Sequence, residues 1–139
     1  MALLSGGGYA ELAKVHKSHL IEIPDGISFT QAAAIPEVWL TSFQLVHQLG
    51  QVQQSDTVLV HAAASGIGTA ALQLCKSAGA TAVAVASTDD KLSFASSLGA
   101  AHGINYKTSD FASEMQNLGL KANIILDCIG ASNYDSVSH

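Results

Sequence analysis

Four short apolar runs in the second half of the chain are separated by segments with helical spacing. The runs predict β-strands over four ranges: 57–62, 81–86, 103–106 and 123–129. The segments between them predict helices over three ranges: 67–78, 88–98 and 110–118. Strands that are continuously apolar are buried on both faces, and helical connections make neighbouring strands parallel. The pattern therefore predicts an α/β fold with a parallel sheet covered by helices.

The first fifty residues have a different pattern. Residues 9–23 separate single apolar side chains by polar ones and end at a Pro-Asp-Gly turn, which predicts an extended segment. Ser28 and Gln31 have the spacing of a capping box, so a short helix is expected to follow Ser28 and to stop at Pro36. A second helix is predicted over 37–49.

The composition argues against several classes of partner. The net charge is −5 and the six Lys and Arg residues are scattered, so neither nucleic acid nor an acidic membrane surface is an expected partner. No run of eighteen apolar residues is present, so we expect no membrane span and a cytoplasmic location. Cys75 and Cys128 lie in separate apolar runs, which predicts two reduced, buried thiols and no zinc site.

The turn after the first predicted strand has the composition of a phosphate-binding loop. Residues 61–68 read His-Ala-Ala-Ala-Ser-Gly-Ile-Gly and open a helix, where backbone N–H groups and the helix dipole bind anions. Gly66 and Gly68 would let the backbone turn tightly and approach a pyrophosphate. Two registers of the dinucleotide fingerprint fit equally well: Gly66-x-Gly68-x-x-Ala71 and Ala63-x-Ser65-x-x-Gly68.

The tip of the second predicted strand bears on the choice between NADPH and NADH. Asp89 and Asp90 stand about 20 residues after the glycines, where NAD enzymes carry an acidic residue. Both are expected in the first turn of the following helix instead, where they favour the dipole. Ser87 is small and neutral, and Lys91 follows one helical turn later, within reach of a 2′-phosphate. The residues favour NADPH.

Three stretches together resemble the zinc-free quinone oxidoreductases of the medium-chain dehydrogenase/reductase superfamily. They read TQAAAIPEVWLTSF at 30–43, VLVHAAASGIGTAA at 58–71 and IILDCIG at 124–130. The resemblance covers nearly the whole chain, as far as about Gly130. It is carried by the combination of stretches and is far more specific than a single glycine motif.

The resemblance implies a division of the chain into three parts. It places the closing strands of a GroES-like barrel in residues 1–27, connecting helices in 28–50, and a partial NAD(P)-binding Rossmann domain in 51–139. The implied activity is hydride transfer from NADPH to a quinone or similar electrophile, by an enzyme that is a homodimer when complete. The chain alone is expected to have little or no such activity.

The resemblance also implies the residues of the site. It selects the second register, so that the phosphate loop consists of Ala63, Ser65, Gly66, Ile67 and Gly68. Around the adenosine and its 2′-phosphate it places Ser87, Lys91 and Tyr106, and near the nicotinamide Thr41, Cys128 and Gly130. No catalytic acid or base and no metal ligand is implied, because the cofactor itself carries the hydride.

The histidines are not spaced as metal ligands. His16 and His19 fall in the extended segment and are expected to face solvent. His61, between the first strand and the loop, is interpreted as a core histidine with its hydrogen bonds satisfied.

Three other interpretations stay open. The first is a nucleotide-binding regulatory module without catalysis, and the second is a relative of the zinc alcohol dehydrogenases. The third is a truncated product whose fourth strand offers an unpaired apolar edge.

Overall fold

The computed structural model describes residues 1–130, and the predicted continuation of the Rossmann domain over 131–139 lies outside the described residues. One sheet is formed by four strands: β1 (Thr57–Val60), β2 (Thr81–Ala86), β3 (His102–Asn105) and β4 (Ile124–Leu126). Three helices connect them: α3 (Gly66–Ala78), α4 (Asp89–Leu98) and α5 (Phe111–Asn117). All strand pairs are parallel. The predicted α/β fold with a parallel sheet is confirmed.

The strand order places a topological switch point next to β1. The order is β3-β2-β1-β4, so the chain proceeds from β1 in one direction and returns to its other side with β4. Val60, at the end of β1, pairs with Ala84 and with Leu126. Ligands of open α/β sheets bind at the carboxyl ends of the strands beside such a reversal.

The sheet is buried on both faces, as its continuously apolar strands predict. Alternate side chains of a strand point to opposite faces. Val58 and Val60 accordingly share one core cluster with Leu72 of α3. Leu59, between them, belongs to a second cluster with Phe111 of α5. The two layers of helices therefore hold β1 in the centre of the fold.

Two helices precede the sheet where the sequence predicts them. α1 (Phe29–Ala33) has the expected capping box, in which Ser28 Oγ accepts from the Gln31 amide at 3.3 Å and Gln31 Oε1 accepts from the Ser28 amide at 3.0 Å. α2 (Pro36–Phe43) begins at the proline that was expected only to stop α1, since the ring presets φ and the first helical residue needs no N–H partner. A π-helical segment, Gln44–Leu49, continues α2.

The barrel strands expected in residues 1–27 are not formed. This part contains a 3-10 turn, Lys17–His19, and no strand. A strand exists only by virtue of a ladder partner. Across this segment Met1 and Ile21 exchange one pair of backbone hydrogen bonds, at 2.6 and 2.8 Å. Assignment of residues 1–27 to a barrel domain stays a prediction.

Within residues 1–130 no helix is long and apolar enough to cross a membrane.

Candidate functional site

The loop between β1 and α3 turns the chain beneath the start of the helix. Ala62 takes a left-handed conformation with φ 48°, and the Ser65 amide donates to the Ala62 carbonyl at 2.8 Å. Ser65 is the N-cap of α3, and its Oγ accepts from the Gly68 amide at 3.1 Å. The amides of Gly66 and Ile67 lie in the first turn of α3, where N–H groups have no partner within the helix. This turn presents backbone donors and a positive helix end to an anion.

Gly68 supports the second register of the fingerprint. A Cβ built on Gly68 would lie 2.5 Å from the Ala62 carbonyl oxygen and 2.7 Å from Ala63 Cα. The first and last positions of Ala63-x-Ser65-x-x-Gly68 are therefore in contact, and both residues are buried. The expected reason for this glycine needs correction. The atoms that exclude a side chain at Gly68 belong to the loop backbone, so the glycine permits close packing of helix and loop.

Helix α2 fixes the start of α3 from the other side. A Cβ on Gly66 would lie 2.7 Å from Val38 Cγ1, so α2 and α3 touch there. The buried Ser42 hydroxyl donates to the Ile67 carbonyl oxygen at 2.9 Å. Thr41, the residue predicted near the nicotinamide, is half-buried in the same helix. Ser42 was not predicted, because it stands next to Thr41 in the sequence and no pattern distinguishes it.

Four of the predicted cofactor-binding residues line one pocket at the carboxyl end of β2. The pocket has a volume of about 250 Å³ and contains Ser65, Ser87, Lys91 and Tyr106. Lys91 Nζ donates to Ser87 Oγ at 3.0 Å. An ammonium group and a hydroxyl group are thus held together beside the start of α3. The Lys91 ammonium and the Ser87 hydroxyl can together bind an anion. The half-exposed Tyr106 lines the same pocket and can contact a flat group attached to that anion.

The two acidic residues near this pocket occupy the positions predicted for them. Asp89 and Asp90 form the first turn of α4, which Thr88 caps through a 3.4 Å hydrogen bond from the Lys91 amide. Asp89 Oδ1 accepts from Asn105 Nδ2 at 3.0 Å, and Asp89 is not among the residues that line the pocket. The pocket therefore presents Lys91 and Ser87 rather than a carboxylate.

A second cavity, of about 220 Å³, lies between β1, β4 and α3. Three predicted residues, Ile67, Gly68 and Cys128, line it together with apolar side chains such as Leu45. His61 and Asp127 also line it, and the Asp127 carboxylate accepts from the Ile129 and Gly130 amides at 2.9 and 3.0 Å. These two amides lower the pKa of Asp127, so its carboxylate stays charged.

Not every predicted residue lines one of the two cavities. The residues that line neither are Thr41, Ala63, Gly66 and Gly130. Ala63 is fully buried, and its amide donates to the Val85 carbonyl at 3.1 Å, so it joins the loop to β2. Gly130 has φ 83°, a conformation that favours glycine, and holds the turn after β4.

One expectation about burial and one about hydrogen bonding were wrong, at Cys128 and at His61 respectively. Cys75 is buried, as predicted, but Cys128 is exposed, because β4 ends at Leu126 and the chain beyond it leaves the sheet. Its thiol donates to the His61 carbonyl at 3.4 Å. His61 is buried, but within residues 1–130 neither of its ring nitrogens has a hydrogen-bond partner, and the ring packs edge-on against Phe111 with centroids 5.1 Å apart. Burial lowers the pKa of His61, against a weaker opposing effect of the Asp127 charge.

The donors needed for a metal site are not brought together. Within residues 1–130 no three His, Cys, Asp or Glu side chains are grouped so as to hold an ion. His16 and His19 are exposed, as predicted. The described residues do not fit a zinc ion, and no chemical step is assigned to one.

Comparison with known proteins places the chain among dehydrogenases. The profile of the family described as zinc-binding dehydrogenase matches residues 66–138, just over half of the chain. Among curated proteins, the synaptic vesicle membrane protein VAT-1 homolog of Danio rerio is 34% identical over 134 residues. The match covers 96% of this chain and 28% of that protein. The chain thus spans less than a third of the length of this relative.

Two solved structures agree with the fold over nearly the whole of this chain. The quinone oxidoreductase of Thermus thermophilus, determined also in complex with NADPH, superposes with a TM-score of 0.88 at 33% identity and covers 99% of this chain and 45% of its own. A structure of an NAD-dependent alcohol dehydrogenase superposes with a TM-score of 0.88 at 39% identity and covers 94% and 39%. These relatives differ in the nucleotide that they are described with.

Proposed function

Because the chain belongs to the zinc-binding dehydrogenase family of the medium-chain dehydrogenase/reductase superfamily, we propose that it binds NADPH and serves hydride transfer to a quinone or similar electrophile. The observation that carries this proposal is the pocket at the end of β2. It joins the Lys91 ammonium, the Ser87 hydroxyl and the N-cap of α3 within one space of about 250 Å³.

The residues present fit a dinucleotide phosphate. The amides in the first turn of α3 would donate hydrogen bonds to the pyrophosphate. At Gly68 the helix packs directly against the loop backbone, so no side chain stands at this position. Lys91 and Ser87 would bind the 2′-phosphate, and Tyr106 would lie beside the adenosine. When bound, NADPH supplies the hydride.

The second cavity is the proposed site for the nicotinamide half of the nucleotide. It lies at the switch point between β1 and β4, on the opposite side of the loop from the β2 pocket. Its lining is mainly apolar, with His61, Asp127 and Cys128 as the polar members, so the chain would exclude water from this end and orient the cofactor. The complete enzyme is proposed to be a homodimer that takes a small quinone.

An NAD-linked alcohol dehydrogenase is the second candidate, because an NAD-dependent alcohol dehydrogenase is 39% identical to this chain. The two candidates differ first in the nucleotide they prefer. They are therefore separated by a binding measurement.

Titration of the chain with NADPH and with NADH tests the proposal. We expect Lys91→Ala to weaken NADPH binding about tenfold, the loss of one charge-assisted hydrogen bond to a phosphate, and to leave NADH binding unchanged. Lys121→Ala is the matched control, since Lys121 is an exposed lysine that precedes β4, at the opposite end of the sheet. Equal weakening of both nucleotides, or no weakening, would contradict the assignment of Lys91 to the 2′-phosphate.

Saturable oxidation of NADPH by this chain in the presence of a small quinone would show that it carries out hydride transfer by itself, against the expectation that the chain alone has little or no such activity. Binding of the nucleotide without turnover is the expected result, and the regulatory nucleotide-binding module gives the same result.

A further inference from the structure

The Asn105 side chain donates one hydrogen bond and accepts another. Its Nδ2 donates to Asp89 Oδ1 at 3.0 Å, and its Oδ1 accepts from the Lys107 amide at 3.1 Å. If the amide oxygen and nitrogen were exchanged, the oxygen would face the Asp89 carboxylate and the NH2 group would face the Lys107 amide. Neither contact is a hydrogen bond, so the two partners determine the orientation of this side chain. Asn105 thus connects the end of β3 to the first turn of α4.

The position of Asn105 brings this connection next to the β2 pocket. Asn105 pairs with Ala86, the last residue of β2, and the Tyr106 amide donates to the Ala86 carbonyl at 3.1 Å. Ala86 and Tyr106 both line the pocket. The bond from Asn105 to Asp89 therefore runs along the border of the proposed 2′-phosphate site.

Asp89 stands two residues after Ser87, which lines this pocket. Thr88, between Ser87 and Asp89, is extended, with φ −149° and ψ 155°. Side chains on either side of an extended residue leave the backbone in similar directions. Ser87 lines the pocket, whereas Asp89 is bound to Asn105 and does not.

We infer that Asn105 is a specificity-determining positioning residue, which holds the Asp89 carboxylate out of the β2 pocket and so preserves a preference for a 2′-phosphate. A carboxylate free to enter that pocket would repel a phosphate and would accept a hydrogen bond from a ribose 2′-hydroxyl, which favours NADH. This inference rests on the proposed function and adds a residue that contacts neither the phosphate nor the ribose.

The test is a mutant cycle read as the ratio of NADPH to NADH affinity. We expect Asn105→Ala to lower this ratio about fivefold, the value of one ordinary hydrogen bond. The double variant with Asp89→Ala is expected to restore the ratio, because no carboxylate is left to enter the pocket. Asp89→Ala alone, with Asn105 in place, is expected to leave the ratio unchanged.

A merely structural role of Asn105 would give a different result. Loosening of the turn at Tyr106 would weaken both nucleotides together, in the single and the double variant alike. If Asn105→Ala does not fold, Asn105→Leu keeps the size of the side chain, removes the donor and adds no charge, and it is compared with its own double variant. An unchanged ratio, or a changed ratio that Asp89→Ala does not reverse, overturns the inference. Failure of the unsubstituted chain to bind either nucleotide would overturn the proposed function as well.

Discussion

Replacing Gly68 by alanine tests the packing of α3 on the phosphate loop. The new Cβ would lie 2.5 Å from the Ala62 carbonyl oxygen and 2.7 Å from both the carbonyl carbon and the Cα of Ala63. All three atoms belong to the backbone, so no rotamer change relieves the overlap. The loop and the helix would have to separate by roughly 1 Å to restore ordinary van der Waals contact.

The expected loss of stability follows from two opposing contributions. Insertion of one carbon into a closely packed site costs about 1–3 kcal/mol, and backbone neighbours favour the upper end of that range. Alanine gains up to about 1 kcal/mol over glycine in a helix, which offsets part of the cost. The net destabilisation is about 2 kcal/mol, or a fall in Tm of about 5 °C or more for a chain of this size. Displacement of the loop should also weaken nucleotide binding.

The assay is thermal and urea unfolding of the Gly68→Ala chain beside two glycine controls. Gly6→Ala should be neutral, because nothing lies within 4 Å of a Cβ at Gly6. Gly66→Ala should fall between the two, since its Cβ would meet only the Val38 side chain. A Gly68→Ala protein as stable as the unsubstituted chain would refute the packing argument. If stability is lost while nucleotide binding is unchanged, only the link from loop geometry to binding fails.

Two further predictions concern pH. Burial raises the pKa of Cys75 to about 11 from its usual 9.0. Between pH 9 and 11 the thiol therefore ionises in the unfolded chain but not in the folded one, so the free energy of unfolding is unaffected below pH 9 and falls as the pH rises from 9 to 11. In urea unfolding as a function of pH, Cys75→Ala should remove this fall, and a fall that persists would assign it to another group. Burial lowers the pKa of His61, so the unfolded chain takes up a proton that the folded chain resists, and stability falls as the pH drops below about 6.5. We expect His61→Phe to flatten that acid limb, whereas an unchanged acid limb would contradict the prediction.

Local patterns predicted the secondary structure because local chemistry decides most of it. The capping box at Ser28, the N-cap at Thr88 and the left-handed Gly79 that ends α3 are each formed by neighbours in sequence. Strand boundaries were less well predicted. β4 was expected over 123–129 but comprises Ile124–Leu126, because pairing with β1, and not apolar character, determines where a strand ends.

The site was predicted as a set of residues but not as a geometry. The pocket residues come from three separate segments of the sequence: Ser65, Ser87 with Lys91, and Tyr106. The pattern at the end of the second strand indicated Ser87 and Lys91, one register of the fingerprint contained Ser65, and the resemblance to quinone oxidoreductases added Tyr106. The strand order β3-β2-β1-β4 brings them to one pocket. No sequence pattern indicates that Asn105 holds Asp89, because their hydrogen bond depends on the register of β3 against β2.

The sequence by itself determined the alternation of strands and helices and the loop that caps α3, since these depend on residues within one or two turns of chain. It also indicated the parallel sheet, because helical connections between consecutive strands make neighbouring strands parallel. The tertiary structure alone decided that the ring of His61 has no hydrogen-bond partner within residues 1–130, that Cys128 is exposed and that Gly68 is required by its own loop backbone. These properties depend on atoms distant in sequence or on the three-dimensional path of a turn. Hydrophobic periodicity reports which face of an element is buried, but not which groups it meets there.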